Sequence, residues 1–257
     1  MSMRPNTSPP GTKGYGPDSP VQQALTWTEH FFARYPRPDL DSDRAQADGA
    51  LIGVHLLHLL RGCGLLNGTG FHSAAVSLLR SLEDALDCFA AVTLVRGAAE
   101  EWETGRMKPS DAAKKWTSFV DDMTPIGTPL PEYRKYLRRD FNTYSHCSCA
   151  LCEWNLFFNP RAMNERTRNL QGTLELNVSG RIIDSNAHAV DAFETAHILE
   201  FLAIIRRAYS KLFATKDVFF LSLDSIEPGV DEIMQKHNEH KCQEVRRPPE
   251  IARLDKR

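Results

Sequence analysis

The residues best suited to chemistry lie in one polar stretch, residues 133–148, where an arginine and a histidine stand seven positions apart. The imidazole of His146, with an ordinary pKa of about 6.5, can exchange a proton at neutral pH. The guanidinium of Arg139 stays charged and suits a phosphate or a pentavalent phosphorus transition state. Arg139 and His146 together therefore predict a site that grips a phosphodiester.

A helix predicted over residues 129–154 places both side chains on one face. At 100° per residue, Asn142, Thr143 and His146 fall within about 60° of Arg139, and His146 lies about 10 Å further along the axis. The opposite face carries aliphatic and aromatic residues, namely Leu130, Tyr133, Leu137, Phe141 and Tyr144. The alternative interpretation is a solvated polar face, which any amphipathic helix presents.

Arg139 and Asp140, followed by five residues and His146, resemble the R-x(4–6)-H motif of HEPN-superfamily ribonucleases, in which a polar residue often follows the arginine. Arg138 is an alternative for the motif arginine. Upstream, residues 78–84 (LLRSLED) resemble a segment of uncharacterised bacterial helical domains that are grouped near HEPN. The architectural resemblance spans residues 45–215.

This resemblance implies an all-α bundle that forms a homodimer through the motif-bearing helix and cleaves RNA without metal or cofactor. Arg139 would hold the scissile phosphate. His146 would take the 2′-hydroxyl proton or protonate the leaving oxygen, and a second copy would supply the second acid–base group. The alternative is a non-catalytic HEPN-like module that acts through an unidentified protein partner.

Four charged residues on the preceding long helix are candidates for a supporting role. Arg80 stands at ion-pair spacing from Glu83 and Asp84, and Asp87 follows one turn later. Paired carboxylates can do acid–base work, although a charged helix face is the more common explanation. We predict that Arg80 or Glu83 faces the polar stripe, which is the helix face that carries Arg139, Asn142, Thr143 and His146. Asp140 and Asn142 would also support the site there.

Two groups of histidines and cysteines have the residue types of a zinc site. On a continuous helix, however, the thiols near His146 point in different directions, so one tetrahedral ion could not collect them. We therefore expect no metal, and we expect these cysteines to be small buried apolar residues. His55 and His58 stand in an apolar run and are predicted to be core or interface histidines. The two groups are His146, Cys147, Cys149 and Cys152, and His237, His240 and Cys242.

The apolar periodicity predicts a bundle of five or six main helices with one small β-hairpin near residues 173–183. We expect helices over residues 20–35, 43–63, 71–105, 108–123 with Ser110 as a candidate cap, 129–154, 187–213 and 229–240. The predicted common core consists of Leu78, Leu82, Leu86, Phe89, Phe141, Tyr144, Leu199 and Leu202.

Composition and charge limit the class of protein. With 257 residues, 42% hydrophobic and a net charge of −2, the chain is an ordinary globular protein without a bulk attraction to nucleic acid or membrane. We predict a disordered leader at 1–19, one domain at 20–240 and a flexible polar tail at 241–257.

The most apolar runs, 51–60 and 198–205, are too short to span a membrane, and no secretory signal is visible. Together with six sparse cysteines, this predicts a cytoplasmic protein without membrane contact.

Overall fold

A computed structural model describes residues 16, 18–35, 44–118, 130–142, 149–159, 163–164, 169–170, 173–180, 182–215 and 217–239. This described part is mostly helical, which confirms the predicted all-α class. Nearly all of the predicted leader and the whole of the predicted tail lie outside the described residues, so their disorder stays a prediction.

The first helix begins where the sequence predicts. Helix α1 spans Pro20–Arg34, and the hydroxyl of Ser19 accepts a hydrogen bond from the Gln22 backbone N–H at 3.2 Å. Pro20 occupies the first turn, where the missing N–H costs nothing because that position has no helical partner. The cap and the proline together fix this end of the helix.

Helix α2 spans Arg44–Gly68 and so runs five residues beyond its predicted end. Gly62 and Gly64 lie inside the helix, and the chain turns only at Gly70, whose φ is 83°. In the described part of the chain, α2 is the one helix long and apolar enough to cross a membrane. Core helices of soluble proteins can have the same length and composition, and 44% of the apolar window of α2 is buried inside the protein.

The predicted helix over residues 71–105 is two helices. Helix α3 spans His72–Leu94 and α4 spans Ala98–Glu103, separated by extended Val95 and by Gly97 with a φ of 82°. Helix α5 spans Pro109–Thr117 and begins after Lys108, so Ser110 is not its cap. Pro109 sets this start because proline favours the first helical turn.

The helix predicted over residues 129–154 does not reach its predicted end. Helix α6 spans Leu130–Asn142, α7 spans Cys149–Cys152, and a 3₁₀ turn covers Glu153–Asn155. A regular α-helix therefore does not continue to residue 154, because the tighter 3₁₀ turn ends it. Residues 143–148, including His146, lie outside the described residues.

In the described part of the chain, four short strands follow the 3₁₀ turn and form two separate two-stranded antiparallel sheets. Strand β1, Leu156–Asn159, runs antiparallel to β4, Thr173–Leu176, and β2, Met163–Asn164, runs antiparallel to β3, Asn169–Leu170. The hairpin predicted within residues 173–183 is not shown, because residues 173–176 pair with β1 instead. Gly180 has a φ of 70°, in the left-handed region that favours glycine.

Three helices complete the bundle. Helix α8 spans Asp184–Ala208 and ends at Tyr209, after which α9 covers Ser210–Phe213. Helix α10, Val218–Glu239, continues through Pro228 and begins eleven residues before the helix predicted over residues 229–240.

Helix α3 lies at the centre and packs against α2, α5, α6 and α8. Leu82, Leu86, Phe89 and Leu202 are fully buried, as predicted, whereas Leu78 and Leu199 are only half-buried. The side chains of Phe141 and Tyr144 lie outside the described part. A single hydrophobic cluster extends from Val21 to Val230, so the helices share one core.

Candidate functional site

A band of charged and polar side chains runs between α3 and α6, and we call it the polar seam. Along α6 the participating residues recur every four positions, which keeps them on one helix face. They meet α3 in antiparallel order, so the first residue on one helix faces the last on the other. The polar seam consists of Arg80, Glu83, Asp84 and Asp87 on α3 and of Arg134, Arg138 and Asn142 on α6.

The outer end of the polar seam reaches the surface. Arg80 Nε donates to Asn142 Oδ1 at 2.8 Å, and the same guanidinium pairs with Asp84 one turn along α3. Arg138 Nη1 lies 2.9 Å from Asp84 Oδ1, and Arg138 also pairs with the buried Asp87. Arg138 therefore ties the exposed part of the polar seam to its buried part.

The inner end of the polar seam is closed to solvent. The side chain of Arg134 is 2% exposed, with Nη1 2.6 Å from Glu83 Oε2 and Nη2 2.7 Å from Glu200 Oε2 of α8. Its guanidinium carbon lies 5.1 Å from the Trp116 ring centre. Trp116 in turn donates its indole N–H to Asp87 at 2.8 Å. One buried arginine thus holds α3, α5, α6 and α8 together.

His197 of α8 completes this buried cluster. Its Nδ1 lies 2.6 Å from the Phe193 carbonyl and its Nε2 lies 2.9 Å from Glu83 Oε2. Both partners accept hydrogen bonds, so the geometry fits an imidazolium that donates from both nitrogens. Burial by itself lowers the pKa of His197, but the Glu83 carboxylate raises it above its ordinary value.

The buried carboxyl groups differ in their pKa values. Burial favours the neutral acid, yet Arg134 and His197 hold the pKa of Glu83 down at about 2. Burial raises the pKa of Asp87 to about 6 and that of Glu200 to about 7, although Arg134 opposes the rise in both. At neutral pH, Glu83 is therefore the carboxylate that balances Arg134 most fully.

A second buried polar group joins α2, α3 and α8. Asn67 Nδ2 donates to Asp191 Oδ1 at 2.6 Å and to the Ala187 carbonyl at 2.9 Å. His72 Nε2 accepts the Ile183 backbone N–H, so its Nδ1 carries the hydrogen that it donates to Asn67 Oδ1 at 2.7 Å. Burial lowers the pKa of His72 to about 4 and raises the pKa of Asp191 to about 7.

The structure brings together some of the predicted site residues and separates others. Arg80 and Asn142 are in direct contact, whereas Glu83 points into the core toward Arg134, so it does not face the polar stripe. Arg139 is exposed, and its guanidinium carbon lies 5.1 Å from the Tyr136 ring centre. The side chain of Asp140 and the whole of His146 lie outside the described residues, so the shared face of Arg139 and His146 stays a prediction.

Sequence reasoning missed Arg134, His197 and Glu200 as members of a site. The spacing of 134, 138 and 142 was a visible signal, because three polar residues four apart share one face. Glu200 was visible as a lone acid in an apolar run, and a buried acid needs a basic partner. Nothing in the local sequence says that this partner is Arg134, 66 positions away.

The predictions for the histidines and cysteines are each corrected in part. His55 and His58 are exposed, which excludes the predicted core position and leaves the interface alternative. Cys152 is exposed rather than buried, whereas Cys63 and Cys88 are buried and have free thiols. Among the described residues no three histidine, cysteine or acidic side chains cluster as metal ligands, although Cys147, His240 and Cys242 lie outside that part.

Comparison with known proteins gives no match: no family model fits the chain, and neither a curated protein nor a solved structure is significantly similar to it.

The two ends of the polar seam suit different roles. The inner cluster around Arg134 is closed to solvent and suits a structural role. The last turn of α6 differs, because there Arg139 and Asn142 are open to solvent. A solvent-borne phosphate can approach the protein at that turn.

Proposed function

We propose that the protein is a metal-independent endoribonuclease of HEPN type, acting in the cytoplasm, with Arg139 and His146 as its catalytic residues. One observation carries the proposal. Arg139 of α6 is exposed to solvent, whereas Arg134 of the same helix is buried between carboxylates. An exposed arginine can reach the phosphodiester of a bound RNA, which a buried one cannot.

The outer end of the polar seam supports the site mechanically. Asn142 lies in the last turn of α6, and the Arg80 guanidinium holds its side chain at 2.8 Å. His146 follows Asn142 by four positions, so fixing that turn limits where the following residues can lie. Arg80 and Asn142 thus act as positioning residues, because a rigid support keeps a catalytic pair in productive geometry.

The proposed reaction is an internal transesterification. His146 takes the proton of a 2′-hydroxyl of the RNA, and the 2′-oxygen attacks the adjacent phosphorus. The bond from that phosphorus to the 5′-oxygen breaks. A second acid–base group protonates the leaving 5′-oxygen, and a second copy of the chain would supply it. Arg139 balances the charge on the non-bridging oxygens. The products are a 2′,3′-cyclic phosphate and a 5′-hydroxyl.

The alternative function is a non-catalytic helical module that binds a protein partner. Exposed apolar side chains on α2, including Leu51 and Leu65, favour it, because interaction surfaces often expose apolar patches. In that case Arg139 and His146 are ordinary surface residues. The wild-type protein would then leave RNA intact.

The test is cleavage of a mixed-sequence single-stranded RNA by the purified full chain in the presence of a chelator. We expect His146→Ala to abolish cleavage and Arg139→Ala to slow it strongly, with unchanged circular dichroism. His30→Ala and Arg96→Ala are matched controls, because His30 is exposed on α1 and Arg96 is exposed in the turn between α3 and α4. A folded His146→Ala variant that cleaves at the wild-type rate would refute the catalytic role.

A further inference from the structure

The solvent-facing side of α2 lacks charged residues. Between residues 47 and 68 the exposed positions are Leu51, His55, His58 and Leu65, with the two leucines 66% and 69% exposed. The one charged side chain at the edge of this face, Arg61, is held by Glu29 of α1 at 2.7 Å. A helix that faces only water normally carries charges there, so this face is suited to being covered.

These residues form a single narrow line, which we call the α2 stripe: Leu51, His55, His58, Gly62 and Leu65. At 100° per residue all five lie within about 40° of one direction, and the line is about 21 Å long. Its spacing is nearly symmetric about His58, with a leucine seven positions away on either side. His55 and Gly62 lie three and four positions from that centre.

From this symmetry we propose that the α2 stripe binds the α2 stripe of a second copy of the chain, antiparallel, with the two-fold axis at His58. A two-fold interface places the same patch on both subunits, so a self-complementary pattern is what it requires. Leu51 of one copy then meets Leu65 of the other. His55 falls within one residue of Gly62 on the facing helix, where the imidazole can pack beside the glycine and Leu78, which lies 3.5 Å from a Cβ built at that position.

Neighbouring apolar side chains extend the contact at the Leu65 end. Phe71, Leu176 and Val178 are all exposed, Val178 by 84%. They adjoin α2 because Asn177 Nδ2 donates to the Gly70 carbonyl at 3.1 Å. A stable dimer buries about 800 Å² on each partner, more than one helix stripe provides, so we expect these residues to contribute and the dimer to be reversible.

A second copy suits this surface better than a lipid bilayer does. Membrane-surface helices carry lysine and arginine beside their apolar face, whereas the α2 stripe carries histidines and a single arginine already paired with Glu29. This proposal rests on α2 and not on the nuclease proposal, which needs a second copy at the Arg139 face of α6. The two contacts use different helices, so a chain that forms both assembles into more than a dimer.

The first test is the mass of the full chain by sedimentation equilibrium over a concentration series. We expect a reversible wild-type dimer, and we expect Leu51→Glu with Leu65→Glu to raise its dissociation constant by roughly a hundredfold or more. Val218→Glu, an exposed apolar position on α10, is the matched control and should leave the dimer intact. Circular dichroism checks that each variant is folded. A monomeric wild type, or a wild-type mass that the double substitution leaves unchanged at every concentration, overturns the proposal.

A cross-link provides a second, independent test. His58→Cys should form a disulfide-linked dimer on mild oxidation, since residue 58 meets itself at the two-fold axis. Ser81→Cys, exposed on α3, and the wild-type chain are the controls, and mass spectrometry identifies the linked peptides. Failure to link through residue 58 contradicts the proposed axis. Leucine-dependent binding to vesicles of phosphatidylcholine and phosphatidylglycerol, with a monomeric protein in solution, would assign the α2 stripe to membrane and refute the dimer.

Discussion

The buried Arg134 gives the sharpest stability prediction. Replacing it with methionine keeps most of the side-chain volume but removes the charge that faces Glu83 at 2.6 Å and Glu200 at 2.7 Å. Loss of one partner from a buried ion pair typically costs about 3–5 kcal/mol, because the remaining charge stays desolvated. We expect Arg134→Met to lose that amount at pH 7. Arg139→Met, on the exposed face, should change stability by about 0.5 kcal/mol or less.

The assay is urea unfolding followed by circular dichroism, at pH 7 and again at lower pH. Glu83 has a pKa of about 2 in the fold, below its ordinary value, so it contributes stability above pH 4.5 that is lost as the pH falls toward 2. Arg134→Met removes most of that contribution. The difference in the free energy of unfolding between Arg134→Met and the wild type should therefore shrink as the pH falls from about 5 to about 3. A loss below about 1 kcal/mol at pH 7, or a difference that grows on acidification, would refute this reasoning.

Two further predictions concern Asp191 and Ser19. Burial raises the pKa of Asp191 from 3.8 to about 7, so its favourable contribution is full below pH 3.8 and is lost as the pH rises through 7. Asp191→Asn keeps a side-chain oxygen that can accept the hydrogen bond from Asn67. In urea titrations its free energy of unfolding should equal that of the wild type near pH 4 and exceed it by up to about 4 kcal/mol at pH 8. Equal stability at pH 8 would contradict this. Ser19→Ala removes the cap of α1 and should cost about 1 kcal/mol, measured as a lower unfolding midpoint, whereas Ser19→Asp should retain it.

The sequence predicted the parts of the fold that depend on local signals. Ser19 and Pro20 marked the start of α1, and the apolar spacing of α3 predicted the burial of Leu82 and Leu86. The end of α3 was missed, because the apolar pattern continues across Gly97 into α4. Only the backbone conformation there, with a φ of 82°, reveals the break.

The candidate site was predictable only in part for a similar reason. Helical periodicity separates the two faces of α6, and it placed Arg139 on the exposed one. It cannot reveal that Arg134, next to the apolar Tyr133, is buried, because that depends on Glu83 and Glu200, which come from distant parts of the chain. Burial of a charge is a tertiary property that local spacing does not contain.

The proposed role of Arg139 and His146 is tested most directly by the product ends from 5′-labelled RNA incubated with the wild-type chain and chelator. We predict fragments that end in 2′,3′-cyclic phosphate, together with loss of cleavage at a position where a single 2′-deoxynucleotide replaces the ribonucleotide. His146→Ala should produce no fragments at all, whereas His30→Ala should give the same fragments as the wild type and the same block at the 2′-deoxy position. Intact RNA, or fragments that end in 3′-hydroxyl and form at the 2′-deoxy position as well, would contradict the proposed chemistry.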